Sequence, residues 1–155
     1  MEKTLTVRYQ EFESPDLMEL ADRELVCKAV EATSLSYAPY SKFNVGAAVR
    51  MSDGRVFTGA NQENAAFPSG TCAERTVLFY AHAHAQGASI VSIAISACQG
   101  GVQVSQPVSP CGSCRQVLTE FSTKDSPISV ILAGSEKTVK FDNANDLLPF
   151  SFDGF

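Results

Sequence analysis

Ile128-Ser129-Val130-Ile131-Leu132-Ala133-Gly134-Ser135-Glu136-Lys137-Thr138-Val139-Lys140-Phe141 decides the topology of this chain. Two apolar, β-prone runs, Ile128 to Ala133 and Thr138 to Phe141, are joined across Gly134-Ser135-Glu136. A parallel connection needs a crossover of about a dozen residues or more, so a link this short forces the two strands to be antiparallel. Upstream, Ile90 to Ala97 is a third strand, dense in Ile and Val. Helical composition flanks it. Cys72 to about Gln86 carries Ala73, Glu74, Arg75, Val77, Leu78, Ala81 and Ala85, with Gly87 as a stop, and Cys111 to about Phe121 reads the same way. Between Ile90–Ala97 and Cys111 lies the longest loop, the Gly/Gln/Ser/Pro-rich piece from Gln99 to Pro110.

Farther upstream, Asn44 to Met51 and Val56 to Asn61 flank Ser52-Asp53-Gly54 and should form a hairpin. Pro15, after a Ser14 cap, begins a helical stretch through Leu17, Leu20, Ala21, Leu25 and Ala29 to about Ser36, with a break expected in its first turn; Ala38-Pro39-Tyr40-Ser41 ends it. Leu5, Val7 and Tyr9 alternate with Thr6, Arg8 and Gln10, the period of a half-buried strand. Leu147-Leu148 before Pro149 reads as a last helical turn. The order β-α-β-β-α-β-α-β-β implies a layered α/β domain with a mixed central sheet and helices on its faces.

With 155 residues, 45% hydrophobic and 19% charged, the chain suits one domain with one core, and wholesale disorder is excluded. Seventeen acidic against 12 basic residues give a net charge of −5. The Lys and Arg are scattered, which argues against DNA or RNA as a partner, since neutralising phosphates takes a clustered basic face. No apolar run approaches the roughly 18 residues of a membrane span, and Met1-Glu2-Lys3-Thr4 opens no apolar leader. A cytoplasmic protein is expected.

Five cysteines cannot all pair within one chain, so a disulfide scaffold is a poor reading. Cys27 and Cys98 lie in apolar runs and read as buried small hydrophobes. Cys72, Cys111 and Cys114 stand where helices begin. There the backbone N–H groups and the positive end of the helix dipole favour thiolates. A separated Cys plus a Cys-x-x-Cys pair suits zinc, and three ligands leave the open position of a catalytic rather than a structural site. His82 and His84, two apart on one helix, point about 200° from each other and cannot clamp a metal together. Glu74, two residues after Cys72, is better placed to move protons than to coordinate. Phe43 on pattern alone reads as core, Asn61 and Glu63 as solvated turn residues, and Arg115 and Gln116 as helix surface, with hydrogen-bond donation to a nearby thiolate as the alternative.

Cys72-Ala73-Glu74-Arg75 with Pro110-Cys111-Gly112-Ser113-Cys114-Arg115-Gln116 resembles the zinc signature of the cytidine deaminases that act on free nucleosides. The resemblance extends to Tyr37-Ala38-Pro39-Tyr40-Ser41-Lys42-Phe43-Asn44-Val45-Gly46-Ala47-Ala48, to Asn61-Gln62-Glu63-Asn64-Ala65, and to Leu147-Leu148-Pro149 with Phe152. It spans roughly residues 20 to 152. It implies a three-layer α/β/α fold with a mixed five-stranded sheet, to which the amino-terminal strand is an addition. Residues 1–15 would then be an extension and 16–155 a single catalytic domain.

Carried over, the resemblance implies zinc on Cys72, Cys111 and Cys114, and hydrolysis at C4 of cytosine with Glu74 moving the protons and ammonia leaving. Phe43 would stack on the base, Asn61 and Glu63 would hold the ribose 3′-hydroxyl, and backbone groups of Ala73 and Ser109 would read the pyrimidine edge. Arg75 would offset the negative charge of zinc with three thiolates. Ala65, Phe67 and Phe152 would serve a neighbouring subunit's site in a homotetramer. Asn44 stands where a proline is common and Phe67 where a tyrosine is common. The expected reaction is deamination of cytidine and 2′-deoxycytidine. The alternatives are another aminated nucleoside or nucleoside antibiotic as substrate, a non-catalytic zinc module, or a thiol oxidoreductase using Cys111 and Cys114.

Overall fold

A computed structural model describes residues 1–154. Seven strands form one sheet: β1 (Gln10–Phe12), β2 (Phe43–Met51), β3 (Val56–Ala60), β4 (Ile90–Gln99), β5 (Val102–Gln103), β6 (Ser129–Ala133) and β7 (Thr138–Phe141). Their order is β1-β7-β6-β4-β2-β3, with β5 beside the end of β4. Only β4 and β6 pair in parallel among the described strands, and β6–β7 is the antiparallel hairpin that the short link demands. The expected five strands thus form the body of the sheet, and β1 extends it at the β7 edge.

Both faces of the sheet are covered, and the strand residues divide between them with a period of two. On one face α1 (Leu20–Ala32) packs Leu25, Val26 and Ala29 on Ala48, Ala94, Ile131 and Ala133. On the other, α2 (Ala73–His84) and α3 (Gly112–Phe121) bring Val77, Leu78, Ala81 and Leu118 against Val49, Met51, Ile93, Ile95, Val130 and Leu132. Helix α1 approaches β2 so closely at Gly46 that a Cβ there would lie 2.2 Å from the Ala29 carbonyl oxygen. This is the three-layer α/β/α arrangement.

Buried Asp22 of α1 crosses to the sheet, bonded to Arg50 of β2 at 3.0 Å and to Lys140 of β7 at 2.6 Å. Burial raises its pKa, but the two cations outweigh that and the carboxyl is held below its usual range. No helix among the described residues is long and apolar enough to cross a membrane.

Several expectations need correction. The amino-terminal strand is Gln10–Phe12, not Leu5 to Gln10; Gln10 pairs Lys140 and the Tyr9 ring lies 5.7 Å from that of Phe141 at the end of β7, so Leu5 and Val7 have no paired strand among the described residues. The helical stretch after Ser14 is broken in its first turn as expected, the break falling at Met18-Glu19 between a 3-10 turn at Pro15–Leu17 and α1. The long loop contains β5, reached through Gly100 and Gly101, both at positive φ. The same loop is pinned by the β6–β7 link: Ser135 and Glu136 donate their N–H groups to the carbonyls of Val104 and Ser105. Cys27 is exposed, because its angle on α1 turns it away from the face that buries Leu25, Val26 and Ala29. Cys98 is half-buried, with Thr33 Oγ1 3.4 Å from its sulfur. The carboxyl-terminal turn is a 3-10 turn over Ala144–Leu147. Phe155, the last residue of the expected catalytic domain, lies outside the described residues.

Candidate active site

Cys72 is the N-cap of α2 and Cys111 the N-cap of α3, with Cys114 buried in the first turn after it. Neither cap side chain bonds a backbone N–H, so these residues are not there to cap. Instead the two helix starts converge. Cys72 Sγ and Cys111 Sγ are 3.7 Å apart, Cys111 Sγ and Cys114 Sγ 3.5 Å, and all three sulfurs lie within 4.8 Å of one another. Zinc–thiolate bonds of about 2.3 Å at tetrahedral angles separate sulfurs by about 3.8 Å, so the three residues fit zinc. No fourth His, Cys, Asp or Glu joins the cluster among the described residues. His82 and His84 face outward, stacked on Phe121 at 4.5 Å and on Tyr80 at 4.0 Å.

The surroundings of the sulfurs are strongly polarised. Hydrogen bonding from Cys114, then from Arg75 and Cys111, draws the Cys72 thiol down to about 5. Cys114, sharing its proton with Cys72 and buried beside Glu74, is pushed far up. Arg75 Nη2 reaches Cys72 Sγ at 3.8 Å, and Arg75 Nε is buried with no hydrogen-bond partner of its own among the described residues. Glu74 is 5% exposed; burial foremost, then the negative charge of Cys72, raises its pKa above the ordinary 4.5. A buried carboxyl with a raised pKa beside a metal position suits proton transfer near neutral pH.

The residues expected to face the substrate form one hydrogen-bonded body. Asn61, just past β3, donates Nδ2 to the Phe43 carbonyl at 2.9 Å, and its Oδ1 accepts from Val45 N–H at 2.8 Å and from Ser36 Oγ at 2.5 Å. Glu63 accepts from the backbone N–H of Tyr40 at 2.8 Å and of Ser41 at 3.2 Å, and also from Ser41 Oγ. These bonds, the Ser41 hydroxyl first, hold its carboxyl below the usual range. Ser41 Oγ accepts in turn from Phe43 N–H at 3.1 Å. Gln62 and Thr71 exchange two backbone bonds of 2.9 Å, which sets this segment directly beside Cys72. An open cavity of about 570 Å³ lies here, lined among others by Tyr40, Ser41, Asn61, Glu63, Phe67, Cys72 and Arg75.

Phe43, Ala73, Glu74 and Ser109 are not among that cavity's lining residues. Phe43 is half-buried at the start of β2, Ala73 is buried at the first position of α2, and Ser109 is exposed just before Pro110. Ala65 is exposed, Phe67 is 74% exposed with its ring 5.8 Å from that of Tyr40, and Phe152 is 70% exposed. Asn44, the other departure, sits in β2 opposite Cys98, where its N–H remains available to the ladder.

Sequence reasoning missed Ser41, Gln62 and Thr71, which tie these segments together, and it gave Arg115 and Gln116 as helix surface or as donors to a nearby thiolate. Arg115 instead donates Nε to the Pro110 carbonyl at 2.9 Å and Nη1 to the Leu147 carbonyl at 3.0 Å. Gln116 makes a two-bond pairing with the backbone of Phe152, at 2.9 and 3.1 Å. No period or spacing marks the contacts to Leu147 and Phe152, because those partners are distant in the chain.

Residues 20–130 match the family described as "Cytidine and deoxycytidylate deaminase zinc-binding region". A cytidine deaminase of Halalkalibacterium halodurans is 40% identical over 132 residues, covering 84% of this chain and 94% of that protein. One of Mycobacterium tuberculosis is 36% identical over 124 residues, 80% of this chain and 84% of that protein. Among solved structures, a cytidine deaminase of Burkholderia pseudomallei superposes with a TM-score of 0.69 at 40% identity, covering 83% of this chain and 97% of that one.

Proposed function

Because the chain belongs to the cytidine and deoxycytidylate deaminase family, we propose that it catalyses the hydrolytic deamination of cytidine and 2′-deoxycytidine to uridine and 2′-deoxyuridine, releasing ammonia. The observation that carries this reading is the convergence of Cys72, Cys111 and Cys114 at two helix starts with buried Glu74 beside them. Cys72, Cys111 and Cys114 hold zinc. When bound, the metal supplies the Lewis acidity that makes water nucleophilic near neutral pH. Glu74 takes a proton from the attacking water and delivers it to N3 of the base. With the C4–O bond formed, Glu74 then carries the proton of the added hydroxyl to the exocyclic amine, and the C4–N bond breaks to release ammonia and leave a carbonyl at C4. Arg75 offsets the excess negative charge of the thiolates.

Phe43 stacks on the base, and backbone groups of Ala73 and Ser109 read its edge. Asn61 Nδ2 has a second N–H beyond the one given to Phe43, and the Glu63 carboxylate has lone pairs left, so both remain able to bond the ribose 3′-hydroxyl. Residues 16–155 act as the catalytic domain of a cytoplasmic homotetramer, with Ala65, Phe67 and Phe152 serving a neighbouring copy. The high exposure of Phe67 and Phe152 in one chain supports that arrangement.

Loss of the cytosine chromophore across a panel of nucleosides, nucleotides and oligonucleotides tests the reading. Cytidine and deoxycytidine are turned over, while CMP, dCMP and cytosine in single-stranded DNA or RNA fall at least about a hundredfold lower in kcat/KM, since the acidic chain has no basic cluster to pair a phosphate and, within a polynucleotide, Glu63 also repels the 3′-phosphate. Comparable turnover of dCMP and deoxycytidine overturns it.

A further inference from the structure

The three thiols are held unequally. Cys114 is fully buried, Cys72 is half-buried with Arg75 against its sulfur, and Cys111 is exposed. Packing therefore does little to aim Cys111, and its direction is set by the backbone where the chain turns into α3. Arg115 holds that turn twice: its own N–H donates to the Cys111 carbonyl at 3.0 Å, and its Nε donates to the preceding carbonyl, that of Pro110, at 2.9 Å. The same guanidinium donates Nη1 to the Leu147 carbonyl at 3.0 Å, at the end of the Ala144–Leu147 turn. Because its donors form one rigid planar fork, the guanidinium fixes the Pro110 carbonyl relative to an element more than thirty residues away.

We propose that Arg115 is a positioning residue that aims Cys111 at the metal, bracing the start of α3 against the carboxyl-terminal turn. This rests on the reading of Cys111 as a zinc ligand. Groups that orient metal ligands from outside the ligand set are typically worth roughly 10–100-fold in metal affinity. Lysine carries the charge but lacks the fork, so it cannot make both side-chain bonds in one plane.

The test uses the zinc-loaded enzyme and its cobalt-substituted form. In Arg115→Met, zinc passes to a colorimetric chelator at least about tenfold faster than in the parent. The thiolate-to-cobalt charge-transfer band weakens or shifts, and Arg115→Lys lies between the two. If Arg115 merely fastened the carboxyl-terminal turn, the metal-free protein would melt lower while zinc loss and the cobalt band stayed at parent values; that result overturns the proposal. Should Arg115→Met fail to fold, the same two measurements on Arg115→Lys decide, with parental values again overturning it. Cys111→Ala is the reference: if it retains zinc and the full cobalt band, the ligand assignment has failed; if it loses both while the Arg115 variants do not, the positioning role alone has failed.

Discussion

At the start of α2, the third residue after the cap cysteine is Arg75, which turns back to the sulfur of Cys72. At the start of α3 that place is taken by Cys114, a third sulfur, and the arginine one step later turns back to a backbone carbonyl instead. Two short stretches with nearly the same letters thus do different work. The α2 start carries the charged machinery, with Glu74 and Arg75 within three residues of the thiol. The α3 start carries two of the three clustered thiols and no carboxylate, and its polar side chains hold the chain on either side of them. Uncapped helix starts leave N–H groups and positive dipole ends unsatisfied, which suits both to a cluster of thiolates.

Replacing sulfur should break both starts, though unequally. Cys72→Ala, Cys111→Ala and Cys114→Ala each release zinc and abolish turnover, measured by atomic absorption and the chromophore assay. Cys114→Ala also removes a fully buried side chain, so its metal-free form melts below that of Cys111→Ala. Equal melting temperatures would remove that distinction.

Glu74→Gln isolates what only the α2 start has. Zinc content is kept, and kcat drops by roughly 10²–10⁴-fold or more, the range for a general acid/base. The same variant has a second signature in the metal-free protein. A carboxyl whose folded pKa is raised binds its proton more tightly in the native state, so it stabilises the fold at low pH and that contribution is lost as pH climbs from 4.5 through the raised value. Metal-free Glu74→Gln should lack this slope and exceed the parent in stability above the window, by about 1.4 kcal/mol for each tenfold gain in proton affinity that folding gives the carboxylate. Parallel stability curves in denaturant from acid to neutral pH would contradict it.

Arg75→Ala asks how much charge compensation the α2 start supplies. A charged hydrogen bond is worth about 1.5–3 kcal/mol, so the acidic limb of the kcat profile moves up by about one pH unit or more, or zinc binding weakens tenfold or more. An unchanged profile with unchanged zinc affinity rejects the role. The smallest effect belongs to the α3 side. Gln116→Ala removes the two bonds to Phe152, and it raises KM a few-fold while leaving kcat and zinc content near parental values. A drop in kcat with KM unchanged would place Gln116 in the chemistry.

Much of this was legible in the letters, because local chemistry fixes local structure. The apolar, β-prone runs marked β2, β3, β4, β6 and β7, the four-residue link forced β6 and β7 antiparallel, and a cysteine just before each helical run put the thiols at helix starts. Other features depend on partners far away in the chain. That Cys72 lies 3.7 Å from Cys111 follows from β4 and β6 pairing in parallel with α2 and α3 on the same face. The amino-terminal strand forms at Gln10–Phe12 because that is where β7 offers bonds, although Leu5 to Tyr9 has the better pattern. Cys27 is exposed because the step of about 100° per residue on α1 carries it off the face that buries Val26. Arg115 and Gln116 look like any helix surface until Leu147 and Phe152 arrive beside them. Backbone preference and periodicity act over a few residues and can be read from them. Which carbonyl, strand edge or helix face a residue finally meets is settled when distant segments pack, and only the folded chain holds that information.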